Sequence, residues 1–292
     1  MDILERIINR QIVLLDGAMG TELSNRGCNM GGRMNLVNPG RVLAIHRDYI
    51  ASGADILITN TLTMNRINIE IHEPGTDIIE VNLAGARLAR QAVTGGQPVL
   101  GDISSTGRFL EPYGEYTEEQ FYHNFREQAE ILARGGVDGF IIETMSDLRE
   151  AACAIRACKD AADIPVLVSI SFSSADGGGY TIMGNTVEET ARIAEEHGAT
   201  AVGANCGELE PEKMAVLASL FSKSTSLPVI IQPNAGKPVL QEDGTTSFTM
   251  GPEEFAEALM RCIDNGATIV GGCCGTTPGH IRAAAEMIRQ YH

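Results

Sequence analysis

Residues 137–171 read VDGFIIETMSDLREAACAIRACKDAADIPVLVSIS, in which two apolar runs flank a segment of helical character. The runs are VDGFIIE (Val137–Glu143) and PVLVSIS (Pro165–Ser171), and both are rich in β-branched residues. Their apolar residues are nearly continuous rather than alternating with polar ones, which is typical of strands buried on both faces in a parallel sheet. The segment therefore predicts one strand–helix–strand unit.

Runs of the same type recur along the whole chain at fairly even intervals. Eight of them are predicted as strands: Ile12–Asp16, Ala54–Asn60, Pro98–Asp102, Val137–Glu143, Pro165–Ser171, Thr200–Cys206, Pro228–Pro233 and Ala267–Cys274. Helical segments separate them. Two of these segments open with capping-box spacing, at Thr117–Gln120 and Thr186–Glu189, and Pro252 and Pro278 suit a first helical turn.

Eight units in 292 residues give about 36 residues each, which fits a (β/α)8 barrel with insertions. We predict an α/β protein consisting of a single (β/α)8 TIM barrel, one domain over residues 1–292, since no linker or step in composition divides the chain. A doubly wound sheet is the structural alternative. It is disfavoured because LLDGAMGTELS, after the first run, contains Gly17 and Gly20 but not the GxGxxG spacing.

A polar or thiol group stands at the end of every predicted strand. These groups are Asp16, Thr59–Asn60, Asp102, Glu143, Ser171, Asn205–Cys206, Gln232 and Cys273–Cys274, with Asn234 just beyond the seventh strand. The C-terminal ends of the strands of a (β/α)8 barrel converge on one mouth, where the active site lies. The sequence therefore predicts an active site built from these residues.

Charge and hydropathy exclude several classes of function. The chain has 22 Lys and Arg against 38 Asp and Glu, a net charge of −16, which argues against nucleic acid or an anionic membrane as partner. No apolar run is long enough to span a membrane, and the N-terminal MDILERIINR does not resemble a secretion signal. We expect a cytoplasmic protein whose seven cysteines are thiols.

Three of the cysteines fall at the predicted mouth: Cys206, Cys273 and Cys274. The Cα atoms of two adjacent residues lie about 3.8 Å apart, too close for a relaxed disulfide. Glycines flank both sites, and three thiolates without an obvious fourth protein ligand suit a catalytic zinc ion with one open position. The alternative is that these cysteines fill the core as small hydrophobes, which we prefer for those in the helical segments. No CxxC motif is present, so spacing alone leaves both interpretations open.

The motifs around these cysteines resemble the homocysteine S-methyltransferase family. They are VGGCCGTTP (Val270–Pro278), GANC (Gly203–Cys206), DGAMGT (Asp16–Thr21), GAD (Gly53–Asp55), TNT (Thr59–Thr61), IET (Ile142–Thr144) and PNAG (Pro233–Gly236). The first motif is long and specific, and the matches run from the first predicted strand to the last helix. Within the family, the chain is similar to the homocysteine-binding module of cobalamin-dependent methionine synthase.

The resemblance implies a (β/α)8 barrel in which Cys206, Cys273 and Cys274 hold zinc and the homocysteine thiolate takes the fourth position. It also implies the residues that hold the amino-acid end of the substrate: Asp16, Gly17, Ala18, Thr59, Asn60, Thr61 and Glu143, to which we add Asn205 of the GANC motif. We expect Glu143 to pair with the ammonium group and the backbone amides after Asp16 to bind the carboxylate. The amide oxygen of Asn234, or a water molecule, is predicted to fill the fourth zinc position when substrate is absent.

The chain departs from the family pattern at two places. Residues 104–106 read Ser-Ser-Thr where a Gly-Pro-Thr stretch is usual, and Leu62 stands where a Phe commonly follows the Asn-Thr pair. These departures concern the exact acceptor thiol and the contacts with the methyl donor, and they leave the zinc ligands unchanged.

We predict zinc-dependent methyl transfer to the sulfur of homocysteine, which yields methionine. The chain has no Asp-x-His-x-x-Gly segment that would bind cobalamin, so methylcobalamin or another corrinoid is expected on a separate corrinoid-binding protein. The alternative donor is a small sulfonium or ammonium compound, S-methylmethionine or betaine. A Schiff-base aldolase is disfavoured because none of the four lysines falls at a strand end, and a non-catalytic zinc-binding protein would need a fourth ligand.

Overall fold

The computed structural model describes residues 11–207, 209–241 and 246–291 of the chain. Eight parallel strands form its central sheet, each overlapping one of the predicted runs. They are β1 (Val13–Leu14), β2 (Leu57–Ile58), β3 (Val99–Ser104), β4 (Gly139–Met145), β5 (Val166–Ile170), β6 (Ala201–Asn205), β7 (Val229–Gln232) and β10 (Ala267–Val270). A short antiparallel hairpin, β8 (Pro238–Leu240) and β9 (Thr246–Phe248), follows β7 and was not predicted.

The central sheet closes on itself. Its strands are paired in the order β1-β10-β7-β6-β5-β4-β3-β2. The two outer strands of this order also meet, because Leu15 forms a parallel bridge with Ile56 and the Asp16 N–H donates to Ile56 O at 3.1 Å. The predicted (β/α)8 barrel is therefore confirmed.

Eleven α-helices lie within residues 11–207, 209–241 and 246–291. They are α1 (Met19–Asn25), α2 (Met34–Val37), α3 (Pro39–Ala51), α4 (Arg66–His72), α5 (Ile78–Ala92), α6 (Glu118–Arg134), α7 (Leu148–Ala161), α8 (Val187–Glu196), α9 (Pro211–Ser224), α10 (Pro252–Asp264) and α11 (Pro278–Gln290). Both predicted capping boxes form, between Thr117 and Gln120 before α6 and between Thr186 and Glu189 before α8. The two predicted prolines begin α10 and α11.

The interior of the barrel changes from apolar to polar along the strands. Its apolar layer consists of Val13, Leu15, Ile56, Leu100, Ile141, Leu167, Ala201, Ile230 and Ile269. Alternate residues of a strand share a face, so four polar side chains follow on the same inner face two residues later: Asp102, Glu143, Ser169 and Gln232. All four are buried, and we call them the polar layer. This layer forms the floor of the C-terminal mouth.

A larger apolar core lies between the strands and the surrounding helices. Its fully buried aromatic side chains include Phe172 and Phe221, whose rings meet edge to face with centroids 5.8 Å apart. Cys153, Cys158 and Cys262, which lie on α7 and α10, belong to this core as small apolar side chains, as predicted for the helical cysteines.

His46 on α3 makes the stability of the protein sensitive to acid. Its ring is fully buried, neither ring nitrogen has a hydrogen-bond partner among the described residues, and burial lowers its pKa from 6.5 to about 3. The unfolded chain takes up a proton near pH 6.5 whereas the folded protein does not, so the stability contribution present above pH 6.5 is lost as pH falls towards 3. We expect about 2 kcal/mol of this loss between pH 7 and pH 5.

Urea unfolding of the wild type and of His46→Leu at both pH values measures this effect. The free energy of unfolding of the variant should depend less steeply on pH, since leucine takes up no proton. Equal pH dependence of the two proteins would contradict the assignment to His46.

No helix in the described part of the chain is long and apolar enough to cross a membrane. Residues 1–10, 208, 242–245 and 292 lie outside the described residues. The assignment of residues 1–292 to a single domain therefore stays a prediction.

Candidate active site

The three cysteines predicted at the barrel mouth come together at the ends of β6 and β10. The sulfur atoms of Cys206, Cys273 and Cys274 all lie within 4.8 Å of one another, and those of Cys206 and Cys274 are 3.9 Å apart. Within the described residues, this is the one group of three or more Cys, His, Asp or Glu side chains close enough to hold a metal ion together. We call it the cysteine cluster.

Backbone hydrogen bonds fix the cysteine cluster against the end of β7. The Cys206 N–H donates to Gln232 O at 3.2 Å, and the Cys273 N–H donates to Pro233 O at 2.8 Å. Cys206 has a φ angle of 54°, in the left-handed region that residues other than glycine rarely adopt. Such strained backbone is often found at functional sites, where the surrounding structure holds it in place.

Hydrogen bonding within the cluster favours ionisation of Cys206. The thiols of Cys273 and Cys274 donate towards the Cys206 sulfur and lower its pKa to about 3. The same interaction raises the pKa of Cys274 to about 12 and raises that of Cys273. A cation bound by the three sulfurs would favour ionisation of the other two cysteines as well.

The geometry of the cysteine cluster fits a tetrahedral zinc ion. Four ligands at about 2.3 Å from zinc place neighbouring sulfur atoms roughly 3.8 Å apart. The 3.9 Å between the sulfurs of Cys206 and Cys274 is close to that value. Sulfur donors favour zinc or copper(I) over magnesium and calcium. Three protein ligands leave one position open, the arrangement of catalytic rather than structural zinc sites.

Asn234 lies just beyond β7, next to the cysteine cluster. Its Nδ2 donates to Gly207 O at 2.8 Å, and its Oδ1 is buried without a hydrogen-bond partner. A carbonyl oxygen of this kind is a possible metal ligand. Its predicted role as the fourth zinc ligand in the absence of substrate stays a prediction.

A cavity of about 570 Å³ opens at the mouth and includes Cys273 and Cys274 in its wall. Its size is within the range of small-molecule sites. The predicted substrate residues that line it are Asp16, Gly17, Ala18, Thr59, Asn60 and Glu143. Asp102 and Gln232, which were predicted at the mouth as strand ends, line it as well. Other lining residues were not assigned to the site by the sequence, among them Asn68, His72 and Glu73.

Three buried carboxyl groups face one another across this cavity. Burial raises the pKa values of Asp16, Asp102 and Glu143, and that of Glu143 reaches about 7. Negative charge on Glu143 further raises the pKa values of Asp16 and Asp102. The cavity therefore favours a ligand that brings positive charge to these groups.

Asn205 links the cysteine cluster to Thr144, near the end of β4, and does not line the cavity. Its Oδ1 accepts from the Thr144 N–H at 3.0 Å, while its Nδ2 donates to Thr144 Oγ1 at 2.8 Å and to Cys273 Sγ at 3.8 Å. Thr144 has a φ angle of 60°, and the register between β4 and β5 shifts there, so these bonds hold a strained irregularity of β4 directly after Glu143. The structure thus places Asn205 between two parts of the site rather than at the predicted substrate contact.

The Asp16–Ala18 segment is bound to the cysteine-containing segment by a side chain that sequence reasoning missed. The Ala18 N–H donates to Thr276 Oγ1 at 3.0 Å, and Thr276 Oγ1 donates to Cys273 O at 2.8 Å. Tyr49 on α3 donates through its hydroxyl to Ala18 O at 2.8 Å. Thr276 belongs to the CCGTTP motif, whereas nothing in the sequence around Tyr49 indicates this contact. The Ala18 amide, expected at the substrate carboxylate, already has an acceptor.

The Thr59–Thr61 turn supports the neighbouring strand. The Asp102 N–H donates to Thr59 Oγ1 at 2.9 Å, and Thr61 Oγ1 donates to Asp102 O at 2.8 Å. Asn60 Nδ2 donates to Asn35 Oδ1 at 3.1 Å. Thr59 and Asn60 line the cavity, whereas Thr61 is fully buried behind it.

The similarity to known proteins extends over nearly the whole barrel. The sequence profile of the family described as homocysteine S-methyltransferase matches residues 13–288. The chain belongs to the homocysteine S-methyltransferase family. The resemblance drawn from the CCGTTP and GANC motifs is thus confirmed.

Relatives of this homocysteine S-methyltransferase family member include much longer proteins. The chain is 31% identical over 310 aligned positions to methionine synthase of Mycobacterium leprae, and the alignment covers 98% of the chain but 25% of that protein. It is 30% identical to methionine synthase of Mycobacterium tuberculosis, again with 25% of that protein covered. The chain therefore spans about a quarter of the length of these relatives.

The fold agrees with a solved structure of similar size. The metallated form of the homocysteine methyltransferase MmuM from Escherichia coli superposes with a TM-score of 0.80, covering 98% of this chain and all of that one, at 23% identity. This similarity independently supports the (β/α)8 barrel of the homocysteine S-methyltransferase family member.

Proposed function

We propose that this protein methylates the sulfur of homocysteine to give methionine, with a zinc ion held by Cys206, Cys273 and Cys274. The observation that carries the proposal is the cysteine cluster in the wall of an acidic cavity. One position of a tetrahedral site is left for a thiol, and buried carboxyl groups are available for an ammonium group.

The cysteine cluster would hold the zinc ion, which supplies a Lewis acid that keeps a bound thiol in its nucleophilic thiolate form. Residues of this chain then orient that sulfur relative to the methyl donor. Orientation of two reactants contributes up to roughly 7–11 kcal/mol in favourable cases, more than ionisation of the thiol alone. The backbone bonds to Gln232 and Pro233 provide the necessary rigidity at the cluster.

The amino-acid end of homocysteine is proposed to bind along the wall that contains Glu143 and the Asp16–Ala18 segment. Glu143 would pair with the ammonium group, and the backbone after Asp16 would receive the carboxylate. Gly17 lies in this wall next to Ala18, whose N–H already donates to Thr276. Thr59 and Asn60 complete the wall, and Asn205 and Thr61 support it from behind.

The methyl donor is proposed to be a methylcorrinoid carried by a separate protein. Two relatives named methionine synthase support this proposal, because the sequence motifs resemble the homocysteine-binding module of the cobalamin-dependent methionine synthases. The chain matches about a quarter of each relative, the share expected of one such module. S-methylmethionine or betaine is the alternative donor, and the name of the structural neighbour MmuM, a homocysteine methyltransferase, is compatible with either.

The proposed function is tested by single-turnover assays of the zinc-loaded protein with homocysteine. We expect methionine to form with methylcobalamin and to depend on bound zinc. Methionine formation with S-methylmethionine or betaine alone would keep the acceptor and overturn the corrinoid proposal. No methionine with any of the three donors would overturn the function.

Two other functions receive no support from the site. A Schiff-base aldolase needs a lysine in the cavity, and no lysine lines it among the described residues. A zinc-storage role needs a closed site, and no fourth Cys, His, Asp or Glu joins the cysteine cluster in the part of the chain that the structure describes.

None of the seven cysteines forms a disulfide. We propose on this basis that the protein works in a reducing compartment such as the cytoplasm, where thiols persist.

A further inference from the structure

The polar layer contains oxygen atoms that no group of the described protein satisfies. Asp102 Oδ1, Ser169 Oγ and Gln232 Oε1 are all buried without a hydrogen-bond partner. Buried polar atoms are nearly always hydrogen-bonded, to protein, water or ligand. Three such atoms at one level of the barrel interior therefore indicate a place where a polar group binds.

Asp102 is the charged member of this set, and its position is fixed. Its N–H donates to Thr59 Oγ1 at 2.9 Å, and its carbonyl oxygen accepts from Thr61 Oγ1 at 2.8 Å and from Gln128 Nε2 at 3.4 Å. The backbone on either side of the carboxyl group is thus held on β3. The side chain lines the cavity although only 5% of the residue is exposed.

The other two buried carboxyl groups of the cavity already have protein donors. Asp16 Oδ2 accepts from the Ile58 N–H at 3.0 Å, and Glu143 Oε2 accepts from Gln232 Nε2 at 3.2 Å. No Lys or Arg lines the cavity within the described residues, so none of the three carboxyl groups is neutralised there. Asp102 is the one among them for which the structure provides no donor to the carboxyl group.

A buried carboxyl group without a donor is costly for the folded protein. Such a cost is understandable where a ligand supplies the missing donor. An ammonium group carries three N–H donors and a positive charge, which matches a free acceptor close to two further carboxyl groups. A carboxylate or phosphate group at this acceptor would instead be repelled by them.

We propose that Asp102 is a specificity-determining residue, whose free carboxylate oxygen accepts a hydrogen bond from the ammonium group of the acceptor substrate. This proposal rests on the proposed function and extends it. It restricts the acceptor to thiols with an α-amino group, and it assigns the ammonium group to Asp102 together with Glu143 rather than to Glu143 alone. The substrate class is therefore the ω-thiol α-amino acids.

The test compares Asp102→Asn with the wild type, both as intact zinc-loaded protein. Binding of homocysteine and of 4-sulfanylbutanoate, which has the same thiol and carboxylate but no ammonium group, is measured by calorimetry. We expect the Kd of homocysteine to rise by about 10- to 100-fold, the usual effect of losing a hydrogen bond between charged groups. The Kd of 4-sulfanylbutanoate should change less than about twofold, because its complex never contained this bond.

Two further measurements separate this role from a structural one. The ligand-free variant should melt at an unchanged or higher temperature, since asparagine removes repulsion from Asp16 and Glu143. Asp163→Asn removes the same charge at an exposed position between α7 and β5, at the other end of the barrel, and should bind both thiols as the wild type does.

Equal weakening of both thiols in Asp102→Asn would assign Asp102 to the fold and overturn the proposal, as would unchanged affinity for homocysteine. Failure of the wild type to bind homocysteine at all is a different result. It would overturn the proposed function itself, whatever the variant does.

Discussion

Serine in place of Cys206, Cys273 or Cys274 is expected to abolish zinc retention and to lower methyl transfer to homocysteine by about a thousandfold or more. Each substitution removes one of three sulfur ligands and leaves an alcohol, which hardly ionises at neutral pH. The remaining two sulfurs cannot hold the metal tightly. Zinc content after dialysis against a chelator and single-turnover methionine formation measure the two effects.

X-ray absorption of the wild type provides a direct count of the ligands. We expect three sulfur neighbours of zinc without substrate and four with homocysteine, since the thiol takes the open position. Methionine, a thioether without an ionisable thiol, serves as the negative control for the fourth sulfur.

Cys28→Ser is the matched control for the three variants. Cys28 lies in the loop after α1, where its sulfur accepts from Asn38 Nδ2 at 3.6 Å. The same exchange of sulfur for oxygen there should leave zinc content and turnover unchanged. Full turnover in any of the three cluster variants would refute the assignment of the zinc ligands.

The barrel was predictable because its strands carry an unusual pattern. Both faces of β4 and β5 are buried, one in the barrel interior and the other under helices, so their apolar residues run continuously. The hairpin of β8 and β9 was not predictable in this way. Its strands have three residues each and are largely exposed, so burial leaves no mark on their sequence.

The cysteine cluster was predictable from strand ends and motifs, but the hydrogen bonds around it were not. Asn205 belongs to the GANC motif and was expected at the substrate, yet its amide joins Thr144 to Cys273. Asp102 stood out as a polar strand end, but no sequence pattern shows that its carboxyl group lacks a donor. Such facts depend on which side chains other strands bring nearby.

The glycines near the cysteines are explained by close packing, because other parts of the protein approach them. A Cβ on Gly272 would lie 2.4 Å from Thr276 Oγ1, and one on Gly275 would lie 2.1 Å from the ring of Phe248 in β9. These glycines allow the cysteine segment to pack against its own chain, which in turn positions the sulfurs.

Gly203 in β6 shows the same principle at its strongest, and alanine there is expected to cost about 3–5 kcal/mol of stability or to prevent folding. The added Cβ would lie 1.7 Å from Ile230 O and 2.7 Å from its carbonyl carbon. These are backbone atoms of β7, which pairs with Gly203 in register, so the clash cannot be relieved by turning a side chain. Displacement of β7 would also disturb the Cys206 N–H bond to Gln232 O, and so the cysteine cluster.

The matched control for this prediction is Gly40→Ala on α3, where a Cβ would meet nothing within 4 Å. Alanine at that site should leave stability unchanged or raise it by up to about 1 kcal/mol, because it restricts the unfolded chain. Urea unfolding of both variants and the wild type gives the comparison. A wild-type unfolding midpoint for Gly203→Ala would contradict the close contact of β6 and β7. If Gly203→Ala still folds, it should lose zinc more readily than Gly40→Ala. The reason is that displacement of β7 moves Gln232, whose carbonyl oxygen accepts from the Cys206 N–H.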